Sequence, residues 1–257
     1  MDALRTLHRI WGKQKIVAIG ATALGFFIDM RWRKTYDLDL SISVSLKRYQ
    51  SDLARIPGWS QAPKQEQQWS TPDGTRIDII PVPPSLLKRG EFVWPKSGFR
   101  ISLVGMRLAF ENGVLIKIAS DLEILAAPVP VIVVLKMIAF QERPFERIRD
   151  LADIVHSMEQ FLPADDPRRY SDKIFDFHLS YEETGAFCLG KEIGCIVNKR
   201  ELKEVLSFTA MARNDSNSIA LKSRMIRESA AWRENPQLLI NNLDAFDAGM
   251  RFGNKQR

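Results

Sequence analysis

RKTYDLDLSISV, residues 33–44, alternates its side chains with the period of a half-buried strand. Tyr36, Leu38, Leu40, Ile42 and Val44 are apolar or aromatic, and Thr35, Asp37, Asp39, Ser41 and Ser43 are polar. Both aspartates therefore leave the same face. At a rise of about 3.3 Å per residue their backbones stand roughly 6 to 7 Å apart, and at an effective dielectric of about 20 their repulsion is on the order of 2 to 3 kcal/mol. Water screens such repulsion on an ordinary solvated strand. A divalent cation offsets it more directly, because Mg²⁺ and Mn²⁺ take hard oxygen ligands. The surrounding sequence bears on which of the two applies.

A chain of 257 residues that is 45% hydrophobic can bury one large core or two moderate ones. The formal charge is +6, and residues 1–160 hold 22 Lys and Arg against 17 Asp and Glu, which is five of those six charges. That excess suits an anionic partner such as a nucleotide or RNA, although many proteins are this basic. Cys188 and Cys195 are the two cysteines, with neither a His nor a second Cys pair beside them, so a zinc site is not indicated and buried, reduced thiols are expected. The segment MDALRTLHRIWGKQK lacks an apolar signal core, Ile16 to Ile28 is too short to span a bilayer, and Lys136 interrupts VPVIVVLKMIAF. These features read as a soluble, cytoplasmic protein with no membrane partner.

Around the Asp-x-Asp strand the order of elements is informative. Leu4, Leu7, Ile10 and Trp11 mark a helix over residues 2–12, KIVAIG a short strand, and ATALGFFIDM a helix that starts at a small-residue turn. QQWSTPDGTRIDIIPV reads as a hairpin turning at Pro72-Asp73-Gly74, with Ile77 and Ile79 on one face of its second strand and Arg76 and Asp78 on the other. Residues 91–127 read as further strands. From Val129 the pattern becomes helical, broken at Pro144 and resumed with Ile148, Leu151, Ile154, Val155 and Met158 at helical spacing; beyond Pro163 helix is expected almost to the end. The plan is an α/β (α+β) amino-terminal domain with a mixed sheet, residues 1–127, followed by a mostly α-helical domain, residues 128–257.

Three carboxylates, Asp37, Asp39 and Asp78, thus emerge from polar strand faces and can converge if their strands are neighbours, which would make a two-metal platform. Gly20-Ala21-Thr22 lies where a strand feeds a helix, so backbone N–H groups and the Thr22 hydroxyl could meet a phosphate. Arg31, Arg33 and Lys34 precede the carboxylates and suit the phosphates of a nucleotide.

These residues resemble the polymerase-beta-like nucleotidyltransferases, and within them the AbiEii-type toxins of type IV toxin–antitoxin and abortive-infection systems. GATAL resembles the family's Gly-Gly-Ser/Thr turn, with Ala21 in place of the second Gly. RKTYDLD matches Arg-x-Thr-x-Asp-x-Asp through Arg33, Thr35, Asp37 and Asp39. RIDIIPV supplies the lone later Asp78, and LKMIAFQERPFERIRDLADIV resembles the family's Lys followed by an Arg- and Asp-bearing helix through Lys136, Arg143 or Arg147, Asp150 and Asp153. The resemblance covers roughly residues 14–195 and implies a nucleotidyltransferase fold. It implies that Asp37, Asp39 and Asp78 are catalytic and bind Mg²⁺ or Mn²⁺, with Asp78 as base or as activator of the attacking hydroxyl. Gly20, Ala21, Thr22, Arg33, Thr35, Lys136 and Asp150 are implied to bind the nucleoside triphosphate. The implied acceptor is the 3′ end of a tRNA or a protein hydroxyl, and a cognate antitoxin is the implied partner.

Plainer roles stand beside these. Lys136 can snorkel at a helix edge, and Asp150 and Asp153 can pair with Arg147 or Arg149 on a solvated helix face. Trp59, Trp69 and Trp94 fit core or rim packing as well as base stacking. Two other functions use similar residues: a catalytically silent nucleotide- or RNA-binding member of the same fold, and a metal-dependent glycosyltransferase, which also carries Asp-x-Asp.

Overall fold

Apolar–polar alternation carries residues 37–42 into the middle of a seven-stranded mixed sheet. The structure, a computed structural model, describes residues 2–171, 174, 176–214 and 220–256. The chain divides into two compact units, Met1–Pro128 and Val129–Arg257.

In chain order the first unit contains α1 (Asp2–Trp11), β1 (Ile16–Ala18), α2 (Gly20–Leu24), β2 (Asp37–Ile42), α3 (Leu46–Leu53), β3 (Ser60–Ala62), β4 (Gln65–Ser70), β5 (Arg76–Pro81), α4 (Pro84–Arg89), β6 (Glu91–Val93), β7 (Arg100–Ser102), α5 (Met106–Asn112), β8 (Val114–Ala119) and β9 (Leu122–Ala126). The large sheet runs β3-β4-β5-β2-β1-β9-β8, and β6 and β7 pair separately. Strand β2 is antiparallel to β1 and parallel to β5, and β1 is parallel to β9. One face of the central strands is apolar, with Leu40, Ile42, Ile77 and Ile79 all buried. The aromatic cluster of Trp11, Tyr49, Trp69, Phe92 and Trp94 adds to this core. Within it the Trp69 indole donates to the Tyr49 hydroxyl (2.7 Å), which donates to the Glu66 carbonyl (2.8 Å), so the polar handles of two buried rings are satisfied. Trp69 and Trp94 are therefore core residues, whereas Trp59 is half-buried.

The structure departs from the sequence reading at five places in this unit. The helix expected over residues 21–30 ends at Leu24, where Gly25 and then Phe26, Phe27 and Ile28 give poor helix propensity and the chain closes in tight turns. Met106–Asn112 is helical, not extended, starting at Gly105 (φ 81°) and carrying an Arg107–Glu111 ion pair one turn apart. Two helices went unforeseen. The Ser45 hydroxyl accepts from the Arg48 amide to cap α3, and Pro84 begins α4, which Gly90 ends at φ 75°. Tyr36 breaks the alternation of the opening stretch, since it lies just outside the strand and is 71% exposed.

The second unit is helical: α6 (Val129–Glu142), α7 (Ile148–Gln160), a 3₁₀ turn (Pro167–Tyr170), α8 (Tyr181–Ile196), α9 (Lys199–Arg213), α10 (Leu221–Glu228), α11 (Ala230–Glu234) and α12 (Gln237–Lys255). The helical expectation for residues 172, 173, 175 and 215–219 lies outside the described residues. Helices α8 and α12 approach backbone to backbone through glycines. A Cβ added at Gly190 would lie 2.0 Å from the Phe246 carbonyl oxygen, one at Gly194 2.1 Å from that of Met250, and one at Gly249 2.0 Å from that of Phe187. Only glycine permits that approach. Of the cysteines, both free, Cys188 is buried as expected and Cys195 is exposed. Among the described residues no helix is long and apolar enough to cross a membrane.

Candidate active site

Strand register places the three carboxylates. In the parallel β2–β5 pair, Asp37 stands opposite Arg76 and Asp39 opposite Asp78. Residues two apart share a face, so Asp37, Asp39 and Asp78 project from one side of two adjacent strands while Leu38, Leu40, Ile77 and Ile79 project from the other. Neighbouring strands are about 4.8 Å apart, which makes Asp39 and Asp78 direct neighbours. The like charges are half-buried, so water alone screens them less than on an open strand.

Gly20 closes this face from the side. Ile19 donates its amide to the Asp39 carbonyl (2.9 Å), and the chain then turns through Gly20 at φ 67° into α2. A Cβ at Gly20 would lie 2.2 Å from Asp39 Oδ2. Both the dihedral and the space therefore demand glycine. Ala21 makes no such demand: among the described non-glycine residues only His178 and Ala220 have positive φ, so the alanine that replaces the family's second Gly fits its backbone angle. The Thr22 hydroxyl, expected to face a phosphate, donates instead to the Asp37 carbonyl (2.7 Å) and ties α2 to the start of β2.

Arg33 is half-buried and Thr35 exposed, both in the irregular segment that leads to Asp37. Arg76, which the sequence reading placed on the polar face without a role, pairs with Asp37: its Nη2 lies 2.9 Å from Asp37 Oδ1. The period of two made that shared face legible. The β2–β5 register that puts Arg76 beside Asp37 was not.

The remaining candidates belong to the second unit. Lys136 is 7% exposed, and its ammonium lies 2.7 Å from both Asp150 Oδ1 and Asp153 Oδ2. Asp150 and Asp153 are themselves buried, which corrects the solvated helix face and the pairing with Arg147 or Arg149. Lys136 does not snorkel. Burial works against its charge, yet the two carboxylates outweigh burial and hold its pKa above the ordinary lysine value.

The donors suit Mg²⁺ or Mn²⁺ in kind, being hard carboxylate oxygens on adjacent strands, with the absent Cβ of Gly20 leaving room at Asp39 Oδ2. Among the described residues no three His, Cys, Asp or Glu side chains are gathered closely enough to hold an ion as they stand. A cavity of about 630 Å³ in the first unit is lined by Arg9, Arg55 and Trp59 among others, and by none of the three carboxylates.

A family model described as "Nucleotidyl transferase AbiEii toxin, Type IV TA system" matches residues 12–251. The chain belongs to the AbiEii nucleotidyltransferase toxin family. Among solved structures, this AbiEii chain is similar to an antigenic nucleotidyltransferase-like protein from Paracoccidioides brasiliensis, with 14% identity, a TM-score of 0.44, and coverage of 95% of this chain and 89% of that one. It is also similar to a CCA-adding enzyme solved in complex with ATP, with 14% identity, a TM-score of 0.25, and coverage of 99% of this chain and 80% of that one. No curated protein matches the AbiEii chain. Membership sets aside the glycosyltransferase alternative.

Proposed function

We propose that this AbiEii protein transfers a nucleoside monophosphate from a nucleoside triphosphate to a hydroxyl, either at the 3′ end of an RNA such as tRNA or on a protein, and so acts as the toxin of a toxin–antitoxin pair in the cytoplasm. The observation that carries the reading is the register of Asp39 against Asp78, with Asp37 on the same face and Gly20 packed against Asp39. Mg²⁺ or Mn²⁺, held by Asp37, Asp39 and Asp78, would supply charge neutralisation of the triphosphate and a more acidic attacking hydroxyl. Asp78 would accept the proton of that hydroxyl, or make the hydroxyl more acidic through the ion it helps to hold. Backbone amides at Gly20 and Ala21, with Arg33 and Thr35, are the groups of this unit suited to the phosphates, where positive charge favours departure of pyrophosphate.

In the second unit both carboxylates of Asp150 and Asp153 already engage the Lys136 ammonium. That engagement favours one second reading, a silent member that binds nucleotide or RNA without turnover. Expression in a bacterial host separates the two. Wild-type protein should slow growth, and Asp37→Ala or Asp39→Ala should relieve the effect at equal protein levels. Toxicity that survives both substitutions would remove nucleotidyl transfer as its source.

A further inference from the structure

Resting on that reading, we infer that Arg76 is a positioning residue that competes with a divalent cation for Asp37. Arg76 and Asp37 are register partners on adjacent parallel strands. Nη2 of the guanidinium lies 2.9 Å from Asp37 Oδ1, and that oxygen is shielded from solvent without a directed hydrogen bond. The contact is thus electrostatic, held by proximity and not by geometry.

Both partners still reach water. The Arg76 side chain is 50% exposed and that of Asp37 37%, so the pair is screened and exchangeable, unlike the sealed triad around Lys136. Arg76 also sits two residues before Asp78 on the same face, which places a cation at the end of the carboxylate row. Two consequences follow from charge. The guanidinium relieves repulsion between Asp37 and Asp39 when no ion is bound, and it opposes a divalent cation brought to the same carboxylate. Asp37 divides its charge between Arg76 and an incoming ion, so ion binding is weaker than three carboxylates on one face would give.

The test is Mn²⁺ binding to the full-length protein, read as loss of the free-ion electron paramagnetic resonance signal with no nucleotide present. Arg76→Gln, at a half-exposed position, should bind Mn²⁺ about three- to tenfold more tightly than wild type at low salt, with the gap narrowing as KCl screens the charge. Arg76→Lys keeps the charge and should stay within about twofold of wild type. In an Asp37→Asn background, Arg76→Gln should tighten Mn²⁺ binding less than it does in the wild-type background, because part of the coupling runs through that carboxylate. Equal or weaker Mn²⁺ binding by Arg76→Gln, alongside binding that still depends on Asp37 and Asp39, overturns the role of Arg76 and leaves the proposed function standing. Binding indifferent to Asp37 and Asp39 overturns both.

Discussion

Replacing Gly20 with alanine should disable the site through the position of one carboxylate. The new residue must hold φ 67°, in the left-handed region, at about 1 to 2 kcal/mol for an L-residue. Its Cβ would lie 2.2 Å from Asp39 Oδ2, whereas ordinary contact begins at 3.4 Å, so the carboxylate has to move by about 1.2 Å. A misplacement of about 1 Å at a reacting centre can cost about 100-fold. Gly74 provides the control. It has φ 80° and nothing within 4 Å of an added Cβ, so Gly74→Ala brings the same backbone strain without touching a carboxylate. Initial rates of label transfer from an α-labelled triphosphate, together with thermal melting, distinguish the two effects. Both variants should lose stability through backbone strain, Gly20→Ala at least as much as Gly74→Ala, and only Gly20→Ala should lose about 100-fold or more in rate. A Gly20→Ala enzyme within twofold of wild type would refute the placement of Asp39 as a working ligand, as would equal loss in Gly74→Ala.

Three further outcomes are expected. Lys136→Met leaves Asp150 and Asp153 buried without their cation and should destabilise the protein by about 3 to 5 kcal/mol, measured by chemical denaturation; a neutral variant would show that the triad is dispensable. Gly249→Ala drives a Cβ to within 2.0 Å of the Phe187 carbonyl oxygen and should cost at least the roughly 1 to 3 kcal/mol typical of overpacking, because backbone cannot repack like a side chain; an unchanged melting temperature would contradict the close approach of α8 and α12. Burial pushes the Cys188 thiol pKa up while Cys195 is exposed, so iodoacetamide should label Cys195 much faster, as read by peptide mass spectrometry, and the reverse order would contradict the burial of Cys188.

What the sequence disclosed follows from local periodicity. The DLDL and RIDII runs announced strands with acidic faces, and Pro72-Asp73-Gly74 announced the hairpin that became β4 and β5. Pairing register is not local: nothing in either strand says that Asp39 meets Asp78 or that Arg76 meets Asp37, because the chain between them leaves β2 through α3 and returns through β3 and β4. Ion partners at a distance were hidden for the same reason. Asp150 and Asp153 have arginines beside them in sequence, yet helix packing turns them inward to Lys136. The helix–helix contact has a local signal. Gly190 with Gly194, and Gly249 with Gly253, each repeat at four residues, the spacing that lets two helices touch through backbone. Arg76 was likewise visible on the polar face; its meaning needed the neighbouring strand.

The most direct test of nucleotidyl transfer is incubation of purified wild-type protein and Asp39→Ala with Mg²⁺, each α-³²P-labelled nucleoside triphosphate in turn, and total bacterial RNA and protein, followed by gel separation. Label should reach an RNA or protein band with the wild type alone, identifying base and acceptor class together. Label that appears equally with Asp39→Ala, or no label from any triphosphate with an acceptor pool that a control transferase can use, would contradict it.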